Sequence, residues 1–399
     1  MEHVSVKLLD NGLARTPPMG WMSWGYFKCG ANCTKNPQKC LDENLILSVA
    51  DSFYKEGYQE AGYEYIIIDD CWSERTRGKD GRLVADRQRF PNGMKYISDY
   101  IHARGLKFGL YTNVADVTCM YYPGSRGHFE TDAITFAEWG VDYLKLDGCY
   151  VNEDSLDRAY VEMGRYLNKT GRPMLYSCSW PYYIEYIHNK VMDYGKIAPY
   201  CNMWRNYHDV KTSWWAVRTI ITYYQSHHSQ YSKYHGPGQW YDPDMLVFGT
   251  GALTEGQSRV QLVVYVMLSA PLLLSCRMSR LTPYERALLQ NMDLISVGQD
   301  PLGLMAEPHK FTDAITLWVK RHLPMKGDRF HSFSLALVNL DNVDDTVSFT
   351  PGDYGLNSTD GYTVLDVLNG KFLRNITLRD TITLTVPQED VVMYTMFAL

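Results

Sequence analysis

Residues 141–150 read VDYLKLDGCY. Val141, Tyr143, Leu144 and Leu146 supply the apolar bulk of a buried strand, while Lys145, Asp147 and Cys149 occupy alternate positions and so share one face. A cation and a carboxylate aimed the same way at a strand end are costly to bury without partners. The same form, a short apolar strand ending in polar residues, recurs along the first three hundred residues. It is found at 19–27, 63–72, 106–113, 173–180, 202–209, 239–247 and 271–278. Helix-period segments stand between several of these, at 42–61, 93–105, 132–140, 209–225 and 255–270. Eight strand-then-helix units predict an α/β fold, a parallel (β/α)8 TIM barrel rather than an open sheet.

The texture changes after residue 303. Runs at 314–323, 333–340, 345–350, 362–367, 382–386 and 391–397 are short, alternating and separated by turns such as GDYG and LNGK. They predict a C-terminal antiparallel β-sandwich domain over 306–399, following a barrel domain over 9–305.

The totals limit the partners. The chain has 399 residues, and its 39 basic against 45 acidic side chains leave a formal charge of −6 with no basic stripe. Nucleic acid is therefore not an expected partner, and no apolar run is long enough for a membrane span. Nine cysteines occur together with sequons at Asn32, Asn168, Asn357 and Asn375. That combination points to an oxidising, secretory-route protein, with reduced cytosolic thiols as the alternative. The first residues lack the apolar core of a signal peptide, which is expected to have been removed.

In a barrel, sites form where strands end. Trp24, Asp69, Asp70, Tyr111, Lys145, Asp147, Ser179, Arg205, Asp209 and Asp244 all fall there. Singly, Asp70 or Asp209 would serve to cap a helix, Asp242 and Asp244 to hold the YDPD turn, and Lys145 with Asp147 to form a structural ion pair. Capping alone does not call for Lys, Arg and Trp beside the acids, so the set predicts a functional rim. Phosphate-cradling glycine motifs, paired C-x-x-C clusters, His-x-His and G-x-S-x-G are all missing from the sequence. Carboxylates with aromatic walls remain, the equipment for sugars: one acid attacks the anomeric carbon and another moves the proton.

At LDNGLARTPPMGWMSW, IDDCW, LKLDGCY, YSCSWP, CNMWRN and DPDML the chain resembles glycoside hydrolase family 27, the retaining α-galactosidases and α-N-acetylgalactosaminidases. The resemblance implies a homodimer that uses no metal and no cofactor, and it places the protein in the lysosome or outside the cell. By the same resemblance Asp147 is the nucleophile and Asp209 the acid/base. Asp69, Asp70 and Lys145 would bind sugar hydroxyls, with the Lys145 charge keeping Asp147 ionised. Arg205 is expected near the 2- and 3-substituents, while Trp24, Tyr111, Cys119, Cys149, Asp244 and Met245 would wall the pocket. The implied disulfides are Cys29–Cys71, Cys33–Cys40, Cys119–Cys149 and Cys178–Cys201, leaving Cys276 over.

The loop after the fifth strand separates the family's two sugars. Ser179 matches the roomy version found in N-acetylgalactosaminidases, Tyr182 replaces the small alanine expected with it, and Tyr183 matches the family tyrosine. The leading expectation is an exo-glycosidase acting on terminal α-linked N-acetylgalactosamine. α-Galactosidase is the alternative, followed by a non-catalytic galacto-sugar-binding homologue, a reading prompted by Tyr182 and Arg277. Two further departures are Tyr241 before DPD and SCRM after the eighth strand, which would bring Arg277 near the rim.

Overall fold

A computed structural model of the chain describes residues 9–399. Eight strands pair in parallel: β1 (Met19–Met22), β2 (Tyr65–Ile68), β3 (Lys107–Asn113), β4 (Tyr143–Asp147), β5 (Leu175–Cys178), β6 (Met203–Arg205), β7 (Trp240–Asp242) and β8 (Leu272–Leu274). Their order is β7-β6-β5-β4-β3-β2-β1-β8. The seam is closed just beyond β7, where Leu246 bridges Leu274 in parallel and its amide donates to the Leu273 carbonyl at 2.8 Å. All eight strands read from the sequence are present, each shorter than the run read for it. β2 and β8 are apolar throughout and fully buried, as parallel barrel strands covered on both faces must be.

The outer layer is α1 (Glu43–Lys55), α2 (Gly93–His102), α3 (Phe129–Trp139), α4 (Glu153–Lys169), α5 (Trp214–Tyr231), α6 (Glu255–Met267), α7 (Pro283–Leu289) and α8 (Met292–Gly298). Local chemistry sets several of their starts. Asp42 accepts from the Leu45 amide, Ser213 from Ala216, and Thr254 forms a reciprocal capping box with Gln257. α3 stops at Gly140, whose φ of 81° suits a residue without Cβ. α4 was not among the segments read as helical. The predicted helix at 209–225 starts only after Ser213, so Asp209 belongs to the loop before it and caps nothing. After β5 there is no long helix, only the turn Trp180–Tyr182, a π-helical turn Tyr183–Ile187 and the short Tyr194–Ile197.

The C-terminal part is antiparallel, as expected. A six-stranded sheet runs β14 (Lys371–Ile376), β13 (Tyr362–Asp366), β16 (Val391–Ala398), β11 (Phe330–Asn339), β10 (Ile315–Lys326), β9 (Glu307–Lys310). Opposite it lies the pair β12 (Asp345–Phe349) and β15 (Ile382–Val386), with Leu335, Phe349, Tyr362 and Val386 in the core between them. The other face of the large sheet joins the barrel core through Trp318, Ala336, Val338 and Met393. Arg259 of α6 donates from Nε to Asp390 at 2.9 Å across that junction.

Candidate active site

The strand ends surround a cavity of about 590 Å³. Of the residues singled out from the sequence, Trp24, Asp69, Asp70, Tyr111, Cys119, Lys145, Asp147, Cys149, Ser179, Tyr182, Tyr183, Arg205 and Asp209 all line it. Asp244 and Met245 do not: both are buried beneath the rim. Asp244 instead pairs with Arg205 Nη1 at 3.0 Å and accepts the Val210 amide at 2.7 Å, so it shapes the wall without facing the cavity. Met245 Sδ meets the Gly25 amide at 3.2 Å. The turn role read for Asp242 holds, since its Oδ1 accepts from the Asp244 amide at 2.8 Å.

Asp147, the last residue of β4, is held from three sides. Tyr183 donates to Oδ1 at 2.8 Å, Tyr111 to Oδ2 at 3.0 Å, and the Gly148 amide to Oδ1 at 3.0 Å. Burial, reinforced by Asp147 itself, pushes both phenols well above their ordinary value, so they stay protonated donors. Gly148 permits this clamp, because a Cβ there would lie 2.5 Å from the Tyr183 ring.

The structural ion pair open to Lys145 and Asp147 does not form; Lys145 pairs with Asp69 instead, at 2.7 Å, both side chains being nearly inaccessible. Burial alone would lower the ammonium, but Asp69, Asp147 and Asp209 outweigh it and keep Lys145 charged. Burial raises the Asp69 carboxyl despite Lys145, and pushes Asp70 up to about 6, with Asp69 beside it adding to the effect. Asp70 accepts the amides of Cys71 and Met120 at 2.6 and 3.0 Å, which anchors the loop carrying Cys119.

Asp209 is the contrasting acid. Its side chain is 58% exposed at the cavity mouth, accepting from Trp24 Nε1 at 3.2 Å and from Arg205 Nη2 at 3.1 Å. Burial in the mouth would raise its pKa, but Arg205, Lys145 and Lys28 together bring it below the ordinary carboxylate value. One cavity therefore holds a carboxylate fixed by three neutral donors and another steadied by cations.

Ser179, at the end of β5, is buried but reaches the cavity. Tyr182 lies partly buried with its hydroxyl 3.2 Å from His208 Nδ1 and its ring stacked on Tyr186. Arg277 does not reach the cavity; its guanidinium binds the carbonyls of Pro37 and Gln38 at 2.7 and 2.6 Å. Tyr241 is buried in an aromatic cluster with Trp204 and Tyr231. The four disulfides are those expected, and Cys276 is free and buried. The grouping of Cys119, Cys149 and Asp147 offers no thiolate to a metal, since the two sulfurs are bonded to each other. All four sequon asparagines are exposed.

The sequence reading missed the outer wall: Ile187, Tyr207, His208, Lys211, Trp215 and Thr219. One signal was available, because adjacent residues such as Trp214 and Trp215 on a helix cannot both face the core.

Comparison with known proteins decides the family. A family model described as alpha galactosidase A matches residues 16–300. The chain belongs to that family. Its members include the alpha-N-acetylgalactosaminidase of Gallus gallus, to which the chain is 39% identical across 97% of its own length and 94% of the relative's. The alpha-galactosidase A of Homo sapiens is 40% identical, covering 86% of this chain and 79% of that protein. Among solved structures, alpha-galactosidase I from Mortierella vinacea superposes with a TM-score of 0.83 at 28% identity over 98% of each chain. As a member of the alpha galactosidase A family the chain is a glycoside hydrolase.

Proposed function

We propose that the chain is a retaining exo-glycosidase releasing terminal α-linked N-acetylgalactosamine from glycolipids, glycoproteins or oligosaccharides, with Asp147 as nucleophile and Asp209 as acid/base. The observation that carries this reading is that both carboxylates line one cavity, Asp147 held by Tyr183 and Tyr111 and Asp209 exposed at the mouth. A carboxylate oxygen of Asp147 attacks the anomeric carbon as protonated Asp209 gives its proton to the departing glycosidic oxygen. In the second step Asp209, now a carboxylate, takes a proton from water, whose oxygen attacks the same carbon and releases Asp147. The product keeps the α configuration. Carboxylates and water supply every proton and electron pair in this scheme, so no cofactor enters it.

In the same reading Asp69, Asp70 and Lys145 bind the hydroxyls of a galacto sugar, and Arg205 lies by the 2- and 3-substituents. Trp24, Tyr111 and the Cys119–Cys149 disulfide form the walls. Ser179 supports the acetamide-bearing sugar, because its small side chain reaches the cavity where a bulky one would exclude the group. Tyr182 favours the second reading, an α-galactosidase, since it adds bulk on the same wall. Side-by-side hydrolysis of nitrophenyl α-N-acetylgalactosaminide and α-galactoside separates the two, the first being cleaved with the higher kcat/KM. Loss of both activities with sugar binding retained overturns the enzymatic reading.

Four disulfides support an oxidising compartment, lysosomal or extracellular. Among the described residues no helix is long and apolar enough to cross a membrane. The homodimer is tested by light scattering, which should return twice the chain mass of 46.0 kDa.

A further inference from the structure

The cavity extends past the two aspartates into a wall that the proposed chemistry leaves unused. Ile187 and Trp215 line it there at 57% and 72% exposure, unusual for such large apolar side chains. Trp215 sits in the first turn of α5, immediately after the loop bearing Asp209, with Thr219 one turn further along the same face. Its neighbour Trp214 packs against the core instead. Ile187 is delivered by the π-helical turn, closed by the His188 amide on the Tyr183 carbonyl at 2.9 Å. That turn brings Tyr183, which holds Asp147, and Ile187 onto one cavity. His208 and Lys211 complete the wall with polar groups.

The cavity has room beyond one ring. An N-acetylhexosamine has about fifteen non-hydrogen atoms; at no more than the roughly 30 Å³ of a liquid water each, it fills about 450 Å³. The cavity holds about 590 Å³ and is open beyond that. Direction follows from chemistry: the acid/base protonates the oxygen that links the cleaved sugar to its leaving group, so the leaving group lies on the Asp209 side, beside Trp215.

We propose that Trp215 and Ile187 form a platform for the leaving group, and that the leaving group it selects is a second pyranose. This inference rests on the exo-glycosidase reading above. The indole face covers the C–H face of a sugar ring, and Lys211, His208 and the Thr219 hydroxyl supply hydrogen-bond partners for its hydroxyls, which a bare alkyl aglycone would leave unused.

The test compares a methyl α-glycoside with the matching α-linked disaccharide, in both the N-acetylgalactosaminyl and galactosyl series. Trp215→Ala should lower kcat/KM on the disaccharide about ten-fold and on the methyl glycoside less than about two-fold, while Trp215→Phe restores most of the difference. An equal loss on both substrates, or none on the disaccharide, overturns the platform. If the unaltered enzyme cleaves neither series, it is the exo-glycosidase reading that falls. Calorimetric titration of the Asp147→Asn variant with the two glycosides then decides the platform separately. Tighter disaccharide binding that disappears with Trp215→Ala upholds it, and equal or absent binding overturns it.

Discussion

Replacing Lys145 with methionine should unbalance the floor of the pocket in a way that pH can reverse. The Lys145–Asp69 pair is 2.7 Å long, with side-chain exposures of 6% and 2%. At an effective dielectric constant near 20 the gross attraction is about 6 kcal/mol, set against several kcal/mol of desolvation for each ion. Removing the ammonium leaves a buried carboxylate without its counter-charge, for an expected loss of about 3–5 kcal/mol of stability at neutral pH. Burial already raises the Asp69 carboxyl with Lys145 in place, and without Lys145 it rises further. The folded variant then binds a proton that the unfolded chain releases, so its stability falls as pH rises through the raised folded pKa and is regained toward the ordinary carboxylate range. Adding Asp69→Asn removes the stranded charge, and the double variant should be more stable than Lys145→Met alone. Urea unfolding followed by tryptophan fluorescence, with disulfides intact, measures all three proteins at several pH values. A loss that does not change with pH, or a double variant no more stable than the single one, refutes the reasoning.

Two further outcomes concern activity. Lys28 lies over the Trp24 ring at 5.0 Å and helps lower the Asp209 pKa, so Lys28→Met should raise that pKa. The acid form then persists to higher pH and the basic limb of the kcat/KM profile moves upward; a limb that stays or moves down contradicts the assignment of Asp209 as the acid. Tyr182→Ala, by clearing bulk from the wall beside Ser179, should raise kcat/KM for the α-N-acetylgalactosaminide relative to the α-galactoside. A shift toward the galactoside would place Tyr182 away from the 2-position.

The barrel was legible because parallel strands buried on both faces are apolar runs, and each such run but the eighth led into a polar residue that faces the cavity or supports its wall. What escaped is equally physical. β9 and β14 are edge strands, Glu307–Lys310 carrying a proline and Lys371–Ile376 exposed for five of its six residues, so neither shows the alternation that marks a half-buried strand. The pairing of Lys145 with Asp69 spans 76 residues of sequence and depends on how β2 and β4 sit across the barrel floor, which periodicity cannot encode. Arg277 looked like a rim residue from its place after β8, yet the turn at Pro37–Lys39 offered it two backbone carbonyls. The wall around Trp215 was hidden for another reason: its residues come from a loop, a π-helical turn and one face of a helix, whose convergence only the fold reveals.

The division of roles between the two aspartates can be read most directly in the Asp209→Ala variant supplied with an α-glycosyl fluoride. That leaving group needs little protonation, so the first displacement proceeds, whereas the second lacks its base and stalls. Quenching and peptide mass analysis should find one sugar attached to the peptide containing Asp147. A sugar on another residue, or a fully active variant with no adduct, would contradict the account.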